Sequence, residues 1–127
     1  MVRIENLMKQ DLVSVELGDP VSTAATLMRI RHIGSVFLKN KGRIVGIVTE
    51  RDIVQKIVST HKPAEYTPVE AIMNSPVIGI HKDSPIFDAA DLMDQSGTRH
   101  LAVTDEQEIV GVLSVRDLLH PVAIDEF

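Results

Sequence analysis

The sequence predicts an α+β fold made of two tandem β-α-β-β-α repeats, packed sheet to sheet with pseudo-two-fold symmetry. Three observations carry this expectation. The chain matches itself without a gap when slid by 65 residues. Each copy holds a stretch with apolar residues at helical spacing. Each copy also holds two apolar runs of strand length joined by a short polar turn.

The self-match comes first, because a missed repeat misassigns the whole fold. Residues 4–54 align with 69–119, and 12 of the 51 positions are identical, among them Met8/Met73, Pro20/Pro85, Gly46/Gly111 and Asp52/Asp117. Many others exchange like for like, such as Val15/Ile80 and Ile47/Val112. This pattern is a duplication. The stretch HKPAEYTP, residues 61–68, holds two prolines and reads as the joint between copies. The repeats are therefore expected at 1–60 and 69–127.

Taken in order, each copy opens with a short helical turn, at 4–8 and 69–73. Strands follow at 12–16 and 77–81. Asp19-Pro20 and Ser84-Pro85 read as helix starts, a capping side chain and then proline at the first helical position. The helix after Pro20 sets Val21, Ala24, Ala25 and Met28 on one face, and Ile86, Ala89, Ala90 and Met93 repeat that face. Two strands come next, SVFLK and RIVGIVT around the turn NKGR, then HLAVT and EIVGVLS around DEQ. A helix closes each copy, ERDIVQKIVST and VRDLLHPV, the second stopped by Pro121. The recurrent Met8, Met28, Met73 and Met93 read as packing residues. One such unit is marginal alone. Two copies sharing a core would leave a cleft between them.

Bulk composition excludes several functions. Net charge is −5, and no basic run is present to displace counterions from phosphates, which argues against a nucleic-acid partner. The patch of Arg29, Arg31 and His32 is the one local candidate for it. No apolar stretch approaches the roughly 20 residues of a membrane helix, and the opening residues do not resemble a signal peptide. The absence of cysteine removes disulfides and thiolate chemistry and fits a reducing cytoplasm. His32, His61, His81, His100 and His120 show no metal-ligand spacing. No nucleophile or metal accompanies the carboxylates, so no catalytic residue is assigned.

The most informative stretches are GIVTERD, residues 46–52, and GVLSVRD, residues 111–117. Thr49 and Ser114 are expected at helix N-caps, with Asp52 and Asp117 three residues on. That is a capping box, which stabilises a helix start by about 1 kcal/mol and requires no ligand. The same atoms suit a ligand. A carboxylate there can accept both hydrogen bonds of a vicinal diol, and the hydroxyl and free N–H groups suit phosphate. Gly46 and Gly111 interrupt strands, which marks a close approach by another backbone or a ligand. Arg51 and Arg116 read as surface or dimer residues.

These two phrases resemble the Gly-x-x-(Thr/Ser)-x-x-Asp signature of the cystathionine-beta-synthase domain, or CBS domain. The openings LMKQDLVSVELGDPVSTAATLM and IMNSPVIGIHKDSPIFDAADLM, and the segment TRHLAVTDEQEIVGVLSVRD, are similar to other parts of that domain. The resemblance covers about 115 of the 127 residues and both copies. It implies a Bateman module, a tandem pair that binds adenosyl ligands in the cleft between copies. The implied ligand is AMP, ADP or ATP, with S-adenosylmethionine or NAD(H) as further candidates, and no cofactor is required. By this resemblance Asp52 and Asp117 hold ribose hydroxyls, and Thr49 and Ser114 lie near ribose or phosphate. Arg99 and His100 turn toward phosphate, at positions where the first copy has Gly34 and Ser35. Leu12, Val13, Val77 and Ile78 flank adenine, and Gly46 and Gly111 leave room for the base. The resemblance further implies a homodimer of modules and readout through a separate effector protein.

The exchange of Gly34-Ser35 for Arg99-His100 makes the two sites unequal. The site that sees Arg99 and His100 is expected to prefer the more phosphorylated ligand. The competing reading is a structural dimerisation module with vestigial or empty sites.

Overall fold

The computed structural model describes residues 2–119. The expectations placed on His120 and Pro121 lie outside the described residues. The elements run in order as α1 (Ile4–Leu7), β1 (Ser14–Glu16), α2 (Val21–Arg31), β2 (Ser35–Asn40), β3 (Arg43–Thr49) and α3 (Glu50–Ile53). A π-helical turn, Val54–Val58, continues α3, and a 3₁₀ turn follows at Val69–Ala71. Then come β4 (Gly79–His81), α4 (Ile86–Ser96), β5 (His100–Asp105), β6 (Glu108–Ser114) and α5 (Val115–Leu118). β2, β3, β5 and β6 match the apolar runs and the hairpin turns fall where the polar residues placed them, while β1 and β4 begin two residues later than the expected 12–16 and 77–81.

The fold is α+β with two three-stranded sheets, ordered β1-β2-β3 and β4-β5-β6. In each, the first pair is parallel and the second antiparallel. A parallel pair needs a crossover, and the helix between its strands supplies it. The registers repeat with the duplication. Ser35 faces Thr49 and His100 faces Ser114, and a register shift falls after Leu38 and again after Val103.

The helix faces are largely as the spacing predicts. Val21, Ala24 and Met28 are buried, as are Ala89 and Met93, whereas Ala90 is exposed. The helix starts differ from expectation. Pro20 and Pro85 are themselves the N-caps, in extended backbone, with no side-chain capping bond. Asp19 Oδ2 instead accepts from the Glu16 N–H at 2.9 Å, closing the preceding turn. The first N–H groups of α2 reach carbonyls of the inter-repeat stretch: Val21 N–H donates to Thr67 O at 2.8 Å and Ser22 N–H to Ala64 O at 3.0 Å. A backbone partner thus satisfies donors that a side-chain cap would otherwise take. At the far ends His32 and Gly97 adopt left-handed backbone, as helix stops commonly do.

The chain forms two compact units whose membership does not follow the sequence repeats. One takes residues Val13–Val77; the other takes 2–12 together with 78–119. Each copy's opening turn therefore completes the unit built around the other copy's strands. Ile4 is fully buried among Ile80, Ala89, Met93, Leu101, Val103 and Leu113. Val69 and Ile72 are buried among Val15, Val21, Val36, Leu38 and Val48. Among the described residues no helix is long and apolar enough to cross a membrane.

Candidate functional site

Thr49 ends β3 and caps α3; Ser114 ends β6 and caps α5. Both capping boxes form as the sequence predicts. Asp52 N–H donates to Thr49 Oγ1 at 3.2 Å, while Asp52 Oδ2 accepts from the Thr49 N–H at 2.9 Å and its hydroxyl at 3.0 Å. Asp117 Oδ2 accepts from the Ser114 N–H at 2.8 Å and its hydroxyl at 3.1 Å. Both acids are buried, Asp52 to 7% and Asp117 to 9% relative exposure, so their remaining partners decide their chemistry.

Those partners differ. Asn74 Nδ2 donates to Asp52 Oδ2 at 2.7 Å, and Lys56 Nζ stands 3.1 Å from Asp52 Oδ1. Lys56 is held in turn by donating to Ile72 O at 3.1 Å. At the other corner Lys9 Nζ lies 3.6 Å from Asp117 Oδ1, and the Lys9 side chain is 68% exposed.

The predicted site residues fall into two groups, one in each unit. Gly34, Ser35, Thr49 and Asp52 lie together in the first. Ser35 faces Thr49 across the sheet, and Gly34 O accepts from the Glu50 N–H at 3.0 Å. Arg99, His100, Ser114 and Asp117 lie together in the second. His100 faces Ser114, and Arg99 O accepts from the Val115 N–H at 2.9 Å. Neither change of side chain alters these backbone roles. Thr98 Oγ1 further fixes the strand start by accepting from the His100 N–H at 3.3 Å.

Leu12 and Val13 precede β1, and Val77 and Ile78 precede β4. Leu12, Val13 and Val77 are half-buried, and Ile78 is 40% exposed. Val13 O accepts from Phe37 N–H at 3.0 Å and Ile78 O from Ala102 N–H at 2.9 Å, so these residues extend the parallel pairings.

The room that Gly46 and Gly111 leave is occupied by protein. A β-carbon on Gly46 would lie 2.7 Å from Met73 Sδ and 3.2 Å from Asn74 O. One on Gly111 would lie 2.9 Å from Lys9 O, with Met8 alongside. The expectation that these glycines clear space for a base gives way to the other cause of a strand glycine, close approach of a second backbone. That backbone is the opening segment, which bridges the free edge of the last strand: Asn74 pairs with Ile47 and Lys9 with Val112. The same bridges bring Asn74 and Lys9 to the carboxylates. Sequence reasoning singled out neither residue, nor Lys56. For Lys56 the signal was its position four residues after Asp52, where helical side chains meet.

Arg51 and Arg116 are exposed, as are His32, His61 and His81. Among the described residues no group of three or more metal-ligating side chains is gathered.

Three comparisons bear on this architecture. The CBS domain family model matches residues 4–59 and again 69–123. An uncharacterized protein of Methanopyrus kandleri is 33% identical over 123 residues, which is 93% of this chain and 61% of that protein. The chain thus spans about three fifths of that relative's length. A solved CBS-domain protein of Burkholderia ambifaria superposes with a TM-score of 0.94 at 28% identity, covering 99% of this chain and 97% of that one. A CBS domain protein of Pyrobaculum aerophilum, solved in complex with AMP, gives 0.82 at 31% identity over 97% of this chain and 99% of its own.

Proposed function

As this chain belongs to the CBS domain family, carrying two copies in tandem, we propose that it is a non-catalytic regulatory module that binds an adenosyl ligand. The ligand class is AMP, ADP or ATP, with S-adenosylmethionine and NAD(H) as further candidates. One observation carries the reading. The support is the register: His100 pairs with Ser114 across the sheet, and Ser114 caps the helix that carries the buried Asp117. On this reading Asp117 receives a ribose diol, and Arg99 and His100, which precede and open the paired strand, receive phosphate. The AMP complex of the Pyrobaculum aerophilum relative supports the same ligand class.

Ligand binding must favour one arrangement of the protein over another, or nothing is signalled. The readout passes through a homodimer of modules or a separate effector protein, in the cytoplasm, without nucleic acid or membrane. The alternative, a structural dimerisation module with vestigial sites, is favoured at one place by the full set of partners around Asp52. A thermal-shift panel of AMP, ADP, ATP, S-adenosylmethionine and NADH separates the two. Stabilisation by at least one adenosyl compound is expected, and none at millimolar concentration would exclude the regulatory reading.

A further inference from the structure

The duplication lets one half of the chain serve as a control for the other. Asp52 and Asp117 are equivalent positions, with the same capping hydroxyl and the same two bonds to it. Their third partners are also equivalent, because residues 9 and 74 stand 65 apart and occupy the same bridge. Only the side chains differ. Asn74 is short and neutral, and makes a 2.7 Å hydrogen bond. Lys9 is long and mostly exposed, at 3.6 Å. Among the described residues Asp117 has no counterpart of Lys56, and the sequence position equivalent to Lys56 is Pro121, which carries no ammonium.

An ionised carboxylate offers about four acceptor sites. Around Asp52, Oδ2 accepts from the Thr49 N–H, the Thr49 hydroxyl and Asn74, and Oδ1 faces Lys56. A ribose diol there would compete with Asn74 on one oxygen and Lys56 on the other, and both groups are themselves anchored. Asn74 is fixed by its backbone bridge to Ile47 and Lys56 by its bond to Ile72 O. Displacement would break two direct contacts to a buried carboxylate. At Asp117 a diol would meet an exposed lysine on a flexible stem. An ion pair of that kind contributes little and swings aside at small cost.

We infer that Lys56 and Asn74 close the Asp52 corner, so that the chain takes one adenosyl ligand, at the Asp117 corner, with Lys9 free to turn from the carboxylate to the ligand's phosphate. This rests on the nucleotide-binding reading above and decides between its two carboxylates. Asp52 is then a structural group that ties α3 to the segment 72–74, and Lys56 and Asn74 are the residues that set the stoichiometry.

The test is calorimetric titration of the intact chain with AMP and ATP, read beside an amide NMR titration of the wild type. One nucleotide per chain is expected. Amide signals of 114–118 should move more than those of 49–53. Asp117→Asn should weaken binding at least tenfold, and Lys9→Met should weaken ATP binding more than AMP binding. Two nucleotides per chain, or larger shifts at 49–53, would overturn the inference while leaving the nucleotide reading intact. An absence of binding to the wild type would overturn both. The NMR arm needs no variant, so it decides the matter even if Asp117→Asn fails to fold.

Discussion

Met73 lies against Gly46 so closely that a β-carbon on the glycine would come within 2.7 Å of the methionine sulfur. The same relationship recurs between Met8 and Gly111, but there the backbone carbonyl of Lys9 closes in as well, at 2.9 Å against 3.2 Å for Asn74 O. The far end of a methionine side chain can move aside. A carbonyl held in a bridge cannot. Gly46→Ala should therefore cost about 1 kcal/mol, and Gly111→Ala about 2–3 kcal/mol, as overpacking does. Urea midpoints of the two variants check the order. Equal midpoints would mean that the openings do not pack on these strands.

Ile4 stands near the start of the chain, where substitutions are usually tolerated. It is fully buried in a core otherwise drawn from residues beyond Ile78. Ile4→Ala should destabilise by about 2–5 kcal/mol, the range for a large core residue. Val2, at 42% exposure, provides the control: Val2→Ala should change little. A denaturation series on both variants measures this, and similar stabilities for the two would contradict the placement of Ile4 in that core.

Asn74→Ala removes a direct hydrogen bond from a buried carboxylate and should cost about 1–3 kcal/mol. Lys56→Met should cost a comparable amount, and the double variant should depart from additivity because both side chains serve the same group. A double-mutant cycle by thermal or chemical unfolding reads the coupling. Strict additivity would show that Lys56 and Asn74 do not share Asp52.

Adenosyl ligand at about 100 times its Kd should stabilise the fold by about 2.7 kcal/mol. For a chain of this size the melting temperature should rise by several degrees. The rise should grow with the logarithm of ligand concentration. An equal rise with sodium chloride at the same ionic strength would point to a salt effect instead of binding.

Much of the fold was legible because the signal was written twice. The strands, the hairpin turns and both capping boxes follow from patterns local to a few residues, and each pattern was checked by its partner 65 positions away. What was not legible depends on which distant segments meet. The Asp19-Pro20 start looked like a side-chain cap, but carbonyls of Ala64 and Thr67 take that role. The strand glycines announced a close approach without saying whose, and the opening segments supplied it. The candidate site showed the same split. Thr49, Asp52, Ser114 and Asp117 could be chosen from the sequence, because a cap is a local device. Asn74 and Lys9, which distinguish the two acids, reach them through bridges between segments far apart in the chain, whereas Lys56 stands four residues after Asp52 and was within reach of a local reading. Ala90 shows the limit of copying: it repeats Ala25 in sequence, yet lies exposed.

The exchange of opening turns also bears on how such a protein could begin. A single copy, cut out along its own repeat, would carry a turn that fits another copy's core and would lack the one that fits its own. Ile4 has its buried neighbours beyond Ile78, and Val69 has most of its own between Val15 and Ile57. Two separate copies could satisfy each other only by trading these turns between molecules. Joining them head to tail makes that trade internal and independent of concentration. Fusion of the two copies thus turned a reciprocal loan between strangers into a permanent feature of one chain.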